Sequence, residues 1–297
     1  MALNDMEKQS PAPALPPALA RWAGPPLGTQ REITVGGRTQ VLEVAIVAAV
    51  HAVAALWLLI ALKDVWVFIP DLVRALFADE FSFVFAWVLL IVVLVLLYVV
   101  GLLAYCAYLL FKGEPVGRGL AAVLCLTLTM LQFTQARSTS LTLIWLVSAA
   151  CVAVLFLSPW ARRILDRPVG FAGRPPSIVL SQTLAVSYLS LVAAMVVALL
   201  PGLRFAGDAG AGFVAFELFG GAAAATGLLA ARRLSAEADR TARVLLSISI
   251  AVPAVFNLIS GSGAGVATGL GIAAGVVVPL WALPDARRWF GDTGAAG

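Results

Sequence analysis

Residues 118–163 align without a gap on residues 243–288, at an offset of 125. The identities include Arg118 with Arg243, Leu120 with Leu245, Ala149 with Ala274, Val152 with Val277 and Leu155 with Leu280. The stretch closes on Pro159-Trp160-Ala161-Arg162-Arg163 against Pro284-Asp285-Ala286-Arg287-Arg288. Upstream, Gly101-Leu102-Leu103-Ala104 recurs as Gly227-Leu228-Leu229-Ala230, one residue out of step. A duplication of this kind constrains the fold: the second half must meet its surroundings as the first does. Each copy holds four long apolar segments.

Those segments set the solvent. Hydrophobic residues make up 61% of the chain and charged residues 12%, about half the usual charged share of a soluble domain. Crossing ~30 Å of hydrocarbon takes ~20 apolar residues at 1.5 Å of rise each. Segments of that length fall at 42–62, 83–110, 119–136, 139–158, 178–200, 211–231, 242–260 and 263–283. The expected fold is therefore all-α: a polytopic integral membrane protein of eight transmembrane helices, arranged as two parallel four-helix repeats. The repeats cover 41–163 and 177–288. A Pro-rich N-terminal tail (1–40), a linker (164–176) and a C-terminal tail (289–297) complete the chain.

Orientation follows from basic residues, which are retained on the cytoplasmic side. Sixteen Lys and Arg fall in the tails, the linker and the loops after the second and sixth spans. Four (Lys63, Arg74, Arg137 and Arg204) fall on the other side. Both termini are expected in the cytoplasm, and an even number of spans per repeat makes the halves parallel, about an axis along the membrane normal. The net charge of +4 thus reads as attraction to anionic lipid headgroups at the cytoplasmic rim, and nucleic acid is not an expected partner. Seventeen of the twenty basic residues are Arg. With abundant Ala, Gly and Val, this fits a GC-rich bacterial genome and a bacterial cytoplasmic membrane. Residues 1–40 lack the apolar core of a secretory signal, so the first span reads as a permanent anchor.

The tail carries Pro11, Pro13, Pro16, Pro17, Pro25 and Pro26, a composition that favours an extended, disordered arm. The loop from Lys63 to Ser82 has a different pattern. Val65, Trp66, Phe68, Ile69, Leu72, Val73, Leu76 and Phe77 recur at roughly helical spacing among charged residues. This predicts an amphipathic segment in the outer interface with Trp66 as an aromatic anchor.

Polar residues within spans are the candidates for chemistry, because a charge near the bilayer centre costs at least ~2.5 kcal/mol. Glu217 lies roughly 9 Å inside its span at 1.5 Å per residue, on the side of the positive helix end. It reads either as a proton- or cation-binding carboxylate, or as a neutral or paired side chain with Arg204 as its reachable partner. His51, alone at mid-span, has too few neighbouring ligands for a metal and is expected to make an interhelical hydrogen bond. Gln132 and Asn257 occupy equivalent repeat positions. They read as a pseudosymmetric amide pair or, more simply, as amides hydrated near the outer interface. Cys106, Cys125 and Cys151 all lie inside spans, as small apolar fillers.

No H-E-x-x-H, G-x-S-x-G or P-loop pattern occurs, and the loops are too short for a soluble catalytic domain. The expectation is no enzyme activity, no catalytic or metal site and no cofactor. Gly269-Leu-Gly271-Ile-Ala-Ala-Gly275 superficially matches a nucleotide loop, but inside a span such glycines serve close helix packing. The sixth and eighth helices should be the tightly packed ones, and Pro253 and Pro279 should kink theirs.

The segments Arg174-Pro-Pro-Ser-Ile-Val179, Ser158-Pro-Trp-Ala-Arg-Arg163 and Leu283-Pro-Asp-Ala-Arg-Arg288 resemble those of small four-span membrane proteins of actinobacteria. The resemblance covers each half and implies a tandem fusion of two units, with a membrane location and no assigned activity. Two functions follow as expectations. One is an accessory or scaffold subunit acting through a membrane-protein partner. The alternative is a small-solute or lipid transporter with a cavity between the halves.

Overall fold

Runs of Leu, Val, Ala and Ile offer backbone amides no partner in hydrocarbon but one another, which leaves the α-helix as the local solution. A computed structural model describes residues 32–35, 38–78, 80–134, 139–166, 174–201, 210–236, 238–259 and 263–291. Apart from one hairpin, all regular structure in it is helical. The helices are α1 (Leu42–Ala61), α2 (Lys63–Ala75), α3 (Glu80–Phe111), α4 (Pro115–Thr134), α5 (Thr139–Leu157) and α6 (Pro159–Leu165). They continue as α7 (Pro176–Leu199), α8 (Gly210–Ala236), α9 (Arg240–Ile259), α10 (Gly263–Ala282) and α11 (Pro284–Trp289).

Among the described residues, five helices are long and apolar enough to cross a membrane: α1, α3, α4, α7 and α8. A sixth crossing arises if α5 and α6, bent by 73° at Ser158-Pro159, count as one span. In α10 the apolar stretch Gly269–Ala282 is shorter, and α9 begins with Arg240 and Arg243. Within α9 and α10 the helix continues through Pro253 and Pro279.

The hairpin pairs β1 (Glu32–Val35) with β2 (Arg38–Val41), antiparallel, in the register Glu32 to Val41 and Val35 to Arg38. This corrects the tail expectation for its last residues, while residues 1–31 lie outside the described ones. Gly36-Gly37 between two alternating segments is a hairpin signal that the proline content obscured. The loop from Lys63 is helical as α2, which exposes Val67, Phe68 and Val73 and buries Leu72 and Leu76. Leu72 and Leu76 pack with Phe83, Ala86 and Leu199, fastening α2 to α3 and α7. The Trp66 side chain lies outside the described residues.

Within the first set of helices α1 packs along α3, α3 against α4 and α4 against α5. The second set follows the same order: α7 on α8, α8 on α9, α9 on α10. Helix ends also agree at the offset of 125: Pro115–Thr134 with Arg240–Ile259, and the starts Pro159 with Pro284. Between the sets, α10 lies on α4, and α7 lies on α3 and α4.

Glycines make that joint close. A Cβ on Gly271 would stand 2.5 Å from Thr127 Oγ1 and 3.2 Å from Thr127 Cα. One on Gly275 would stand 2.8 Å from both Val123 methyls, and one on Gly119 would stand 2.6 Å from Leu180 Cδ2. Lipid tails are as apolar as Leu, so such close van der Waals contact is what holds helices together in a bilayer. Ser181 Oγ adds a buried hydrogen bond to Val276 O at 2.9 Å, between α7 and α10. On α8, a Cβ on Gly227 would collide with Leu189 Cδ1 and stand 2.7 Å from Ser249 Cβ. The sixth and eighth segments are thus closely packed, as their glycine spacing predicts.

Candidate functional site at the arginine-rich end

The starts of α4, α7 and α9 and the short helices α6 and α11 gather at one end of the bundle. There the polar contacts concentrate. Ser158 caps α6, its Oγ accepting from Ala161 N at 3.4 Å, with Pro159 in the first turn, where a missing N–H costs nothing. The counterpart helix α11 has Leu283 before its Pro284 and no side-chain cap. Its Asp285 instead accepts from Ser177 N at 3.2 Å, so a carboxylate from one helix satisfies an orphan amide in the first turn of another. Arg174 donates to Gln182 Oε1 at 3.1 Å, and Gln182 Nε2 donates to Ala231 O at 2.8 Å.

Two corners at this end correspond at the offset of 125. In the first, Arg118 stacks on Phe156, its Cζ 4.9 Å from the ring centroid, and its Nη1 donates to Asp166 Oδ1. Arg162 Nε reaches Asp166 Oδ2 at 3.4 Å. One carboxylate therefore bridges two guanidinium groups.

In the second corner Arg243 is 3% exposed. Its guanidinium lies between Trp281 and Phe290, with Cζ 3.8 and 4.5 Å from the two ring centroids. Arg240 donates from Nε and Nη2 to Phe290 O at 3.2 and 3.0 Å, and Trp281 Nε1 donates to Ser247 Oγ at 2.9 Å. The position matching Asp166 is Gly291, in a left-handed turn at φ +69° that glycine adopts without a Cβ penalty. An open pocket of roughly 510 Å³ is lined by Arg240, Arg243, Val244, Trp281 and Arg287.

No family model, curated protein or solved structure matches the chain. Its own side chains must carry the functional argument.

The polar residues singled out within the spans do not meet in a common site. His51 is buried, but its Nδ1 lies 2.8 Å from Val47 O, one turn back on its own helix. That corrects the interhelical bond expected for it. Gln132 Nε2 donates to Thr142 Oγ1 at 2.7 Å, closing the α4–α5 hairpin and not reaching across to the other half. The Asn257 side chain and Arg204 lie outside the described residues. Glu217 is buried in α8 beside Phe216 and Phe219, which both contact Phe256. Among the described residues its Oε1 has no hydrogen-bond partner.

Cys106 and Cys151 are buried free thiols and Cys125 is half-buried; Cys106 Sγ lies 3.5 Å from Gly117 O. Among the described residues, no group of three or more His, Cys, Asp or Glu is placed to hold a metal ion. The charged corner at Arg243 escaped the reading of spans because it sits at their ends. Extending the repeat alignment three residues past Arg163 and Arg288 would have set Asp166 against Gly291.

Proposed function

We propose that the chain is a tandem pair of four-helix membrane units, eight crossings in all. Both termini face the cytoplasm, and the protein serves as a non-catalytic accessory or scaffold subunit. The offset of 125 shared by sequence and helix ends, and the matching order of packing in the two sets, support the pairing. The arginine-rich end supports the orientation, with anionic headgroups around it.

The observation that carries the scaffold reading is the joint between the units. A two-fold joint would pack α5 on α9 as it packs α4 on α10, yet among the described residues only the latter pair forms a main contact. The joint is therefore heterologous, and each unit keeps one open apolar face. Those faces cannot repeat the internal joint. Leu146 stands where the joint has Gly271, and Val244 where it has Gly119. Both are exposed, at 50% and 42%. Self-propagation into a filament is blocked, which leaves the faces for lipid or for a different membrane protein.

The transporter alternative needs a cavity between the halves lined by the polar candidates. The groove between α2, α3 and α7 is lined by Leu76, Phe77, Leu90, Leu94 and Val197 among other apolar residues, and by none of those candidates. This favours the scaffold reading. A photo-crosslinking residue at Leu146 and another at Ile248, in native membranes, tests it. One protein of constant mass should be captured in mild detergent. Lipid adducts alone at both positions would sink the proposal.

A further inference from the structure

We infer that the groove between α2, α3 and α7 is a binding site for a membrane-soluble quinone, held at its inner end by the hydroxyl of Tyr98. This goes beyond the scaffold reading and rests only on the location of the chain in a membrane. The groove has a volume of roughly 530 Å³, and its walls include Leu90 and Leu94 of α3, Ala193, Ala194 and Val197 of α7, and Phe77 of α2. Tyr98 follows Leu90 and Leu94 at four-residue steps on α3, and Ser190 and Ser187 follow Ala194 on α7. Helical periodicity therefore carries both walls inward to hydroxyl groups.

Tyr98 Oη is buried, and it lies beside Ser187 and Tyr188. Ser187 Oγ gives its proton to Leu184 O at 3.0 Å. Among the described residues Tyr98 Oη makes no hydrogen bond, because its approach to Ser187 lacks the geometry of one. The depth of this group matters. Tyr98 is the middle residue of the apolar stretch Phe85–Phe111, and Ser187 and Tyr188 stand at the middle of α7. At 1.5 Å per residue, Tyr98 is ~20 Å from either end of its stretch.

Hydrocarbon holds no water to satisfy a hydroxyl at that depth, and an unmet donor there is costly. The proton of Tyr98 therefore calls for an acceptor that dissolves in the bilayer core. A phospholipid carries its oxygens at the edge of the hydrocarbon, ~15 Å from the midplane, and its acyl chains end in methyl groups. A quinone carries uncharged carbonyl oxygens on a flat ring with an apolar tail. One carbonyl can accept from Tyr98 at the midplane while the tail lies along the apolar walls. Alanine at 193 and 194 leaves width for the ring between α3 and α7.

The test uses the full chain, purified in mild detergent, incubated with increasing decylubiquinone and repurified. The readout is quinone retained per chain, from the absorbance change on borohydride reduction after extraction. The wild type should saturate near one quinone per chain. Tyr98→Phe keeps the ring and removes only the hydroxyl, so the fold should tolerate it, and the apparent affinity should fall about tenfold, the scale of one buried hydrogen bond. Ala194→Phe should fill the groove and abolish retention, with an unchanged thermal midpoint as the check on folding.

Decylbenzene, which has the ring and tail but no carbonyl, should not displace the quinone at equal concentration. Displacement would overturn the quinone assignment in favour of any apolar chain. Wild-type affinity in Tyr98→Phe would overturn the role of the hydroxyl, and no saturable retention by the wild type would overturn the site itself. Carbonate extraction of cell membranes separates these outcomes from failure of the membrane reading. A chain that stays with the membranes and retains no quinone refutes the site alone, and one released by carbonate refutes the membrane location beneath it.

Discussion

Arg118 and Asp166 are joined by an ion pair across 48 residues of sequence, whereas the position equivalent to Asp166 in the second corner is Gly291. Asp166→Asn keeps the side-chain shape but removes the charge shared by Arg118 and Arg162. The two guanidinium groups are then left without a shared carboxylate, and thermal unfolding in detergent should show a small drop in midpoint. The loss of stability should stay within ~1 kcal/mol, as for partly exposed ion pairs, because Asp166 is 45% exposed. A loss well beyond that range would show that the shared carboxylate fastens α6 to the start of α4.

The joint between the halves makes an asymmetric prediction from two residues at equivalent positions. Gly271→Leu forces a side chain onto Thr127, whose Oγ1 and Cα already stand 2.5 and 3.2 Å from the position of a Cβ. Overpacking of this kind costs ~1–3 kcal/mol or more. Leu146→Gly on the open face of α5 exchanges an exposed side chain and should cost ~1 kcal/mol through helix propensity. Thermal unfolding in detergent should rank Gly271→Leu as clearly the more damaging. Equal effects would argue against the close α4–α10 contact.

Orientation can be read with single cysteines in a background where Cys106, Cys125 and Cys151 are replaced. Arg74 and Arg162 have exposed side chains, at 81% and 60%. A cysteine in place of Arg74 should react with a membrane-impermeant maleimide in intact cells. One in place of Arg162 should react only after permeabilisation. The reverse pattern would overturn the cytoplasmic placement of the basic end and of both termini.

The helical segments were legible because hydrocarbon imposes length and apolarity on the chain. The expected span 139–158 and the helix Thr139–Leu157 nearly coincide, as do 42–62 and Leu42–Ala61. Close packing at Gly227, Gly271 and Gly275 was also legible, since a small residue every four positions has few other uses within a span. Side-chain partners were not. Whether His51 bonds along its helix or across it depends on rotamer and on neighbours that periodicity leaves open, and Gln132 found Thr142 ten residues away. Length and hydropathy alone admit five or six crossings; the last two depend on accepting the repeat, because α9 opens with two arginines and α10 is rich in glycine.

Glu217 offers the clearest choice between a structural and a functional carboxylate. Its Oε1 is buried with no hydrogen-bond partner among the described residues, and its aromatic neighbours Phe216 and Phe219 pack toward Phe256. An unsatisfied buried polar group costs ~1–3 kcal/mol. Glu217→Leu removes that cost and should raise the thermal midpoint in detergent, while Glu217→Gln, which leaves a polar group in the same place, should change it little. If Leu lowers the midpoint and Gln preserves it, the side chain makes a hydrogen bond that the fold requires. The case for a polar path through α8 would then reopen.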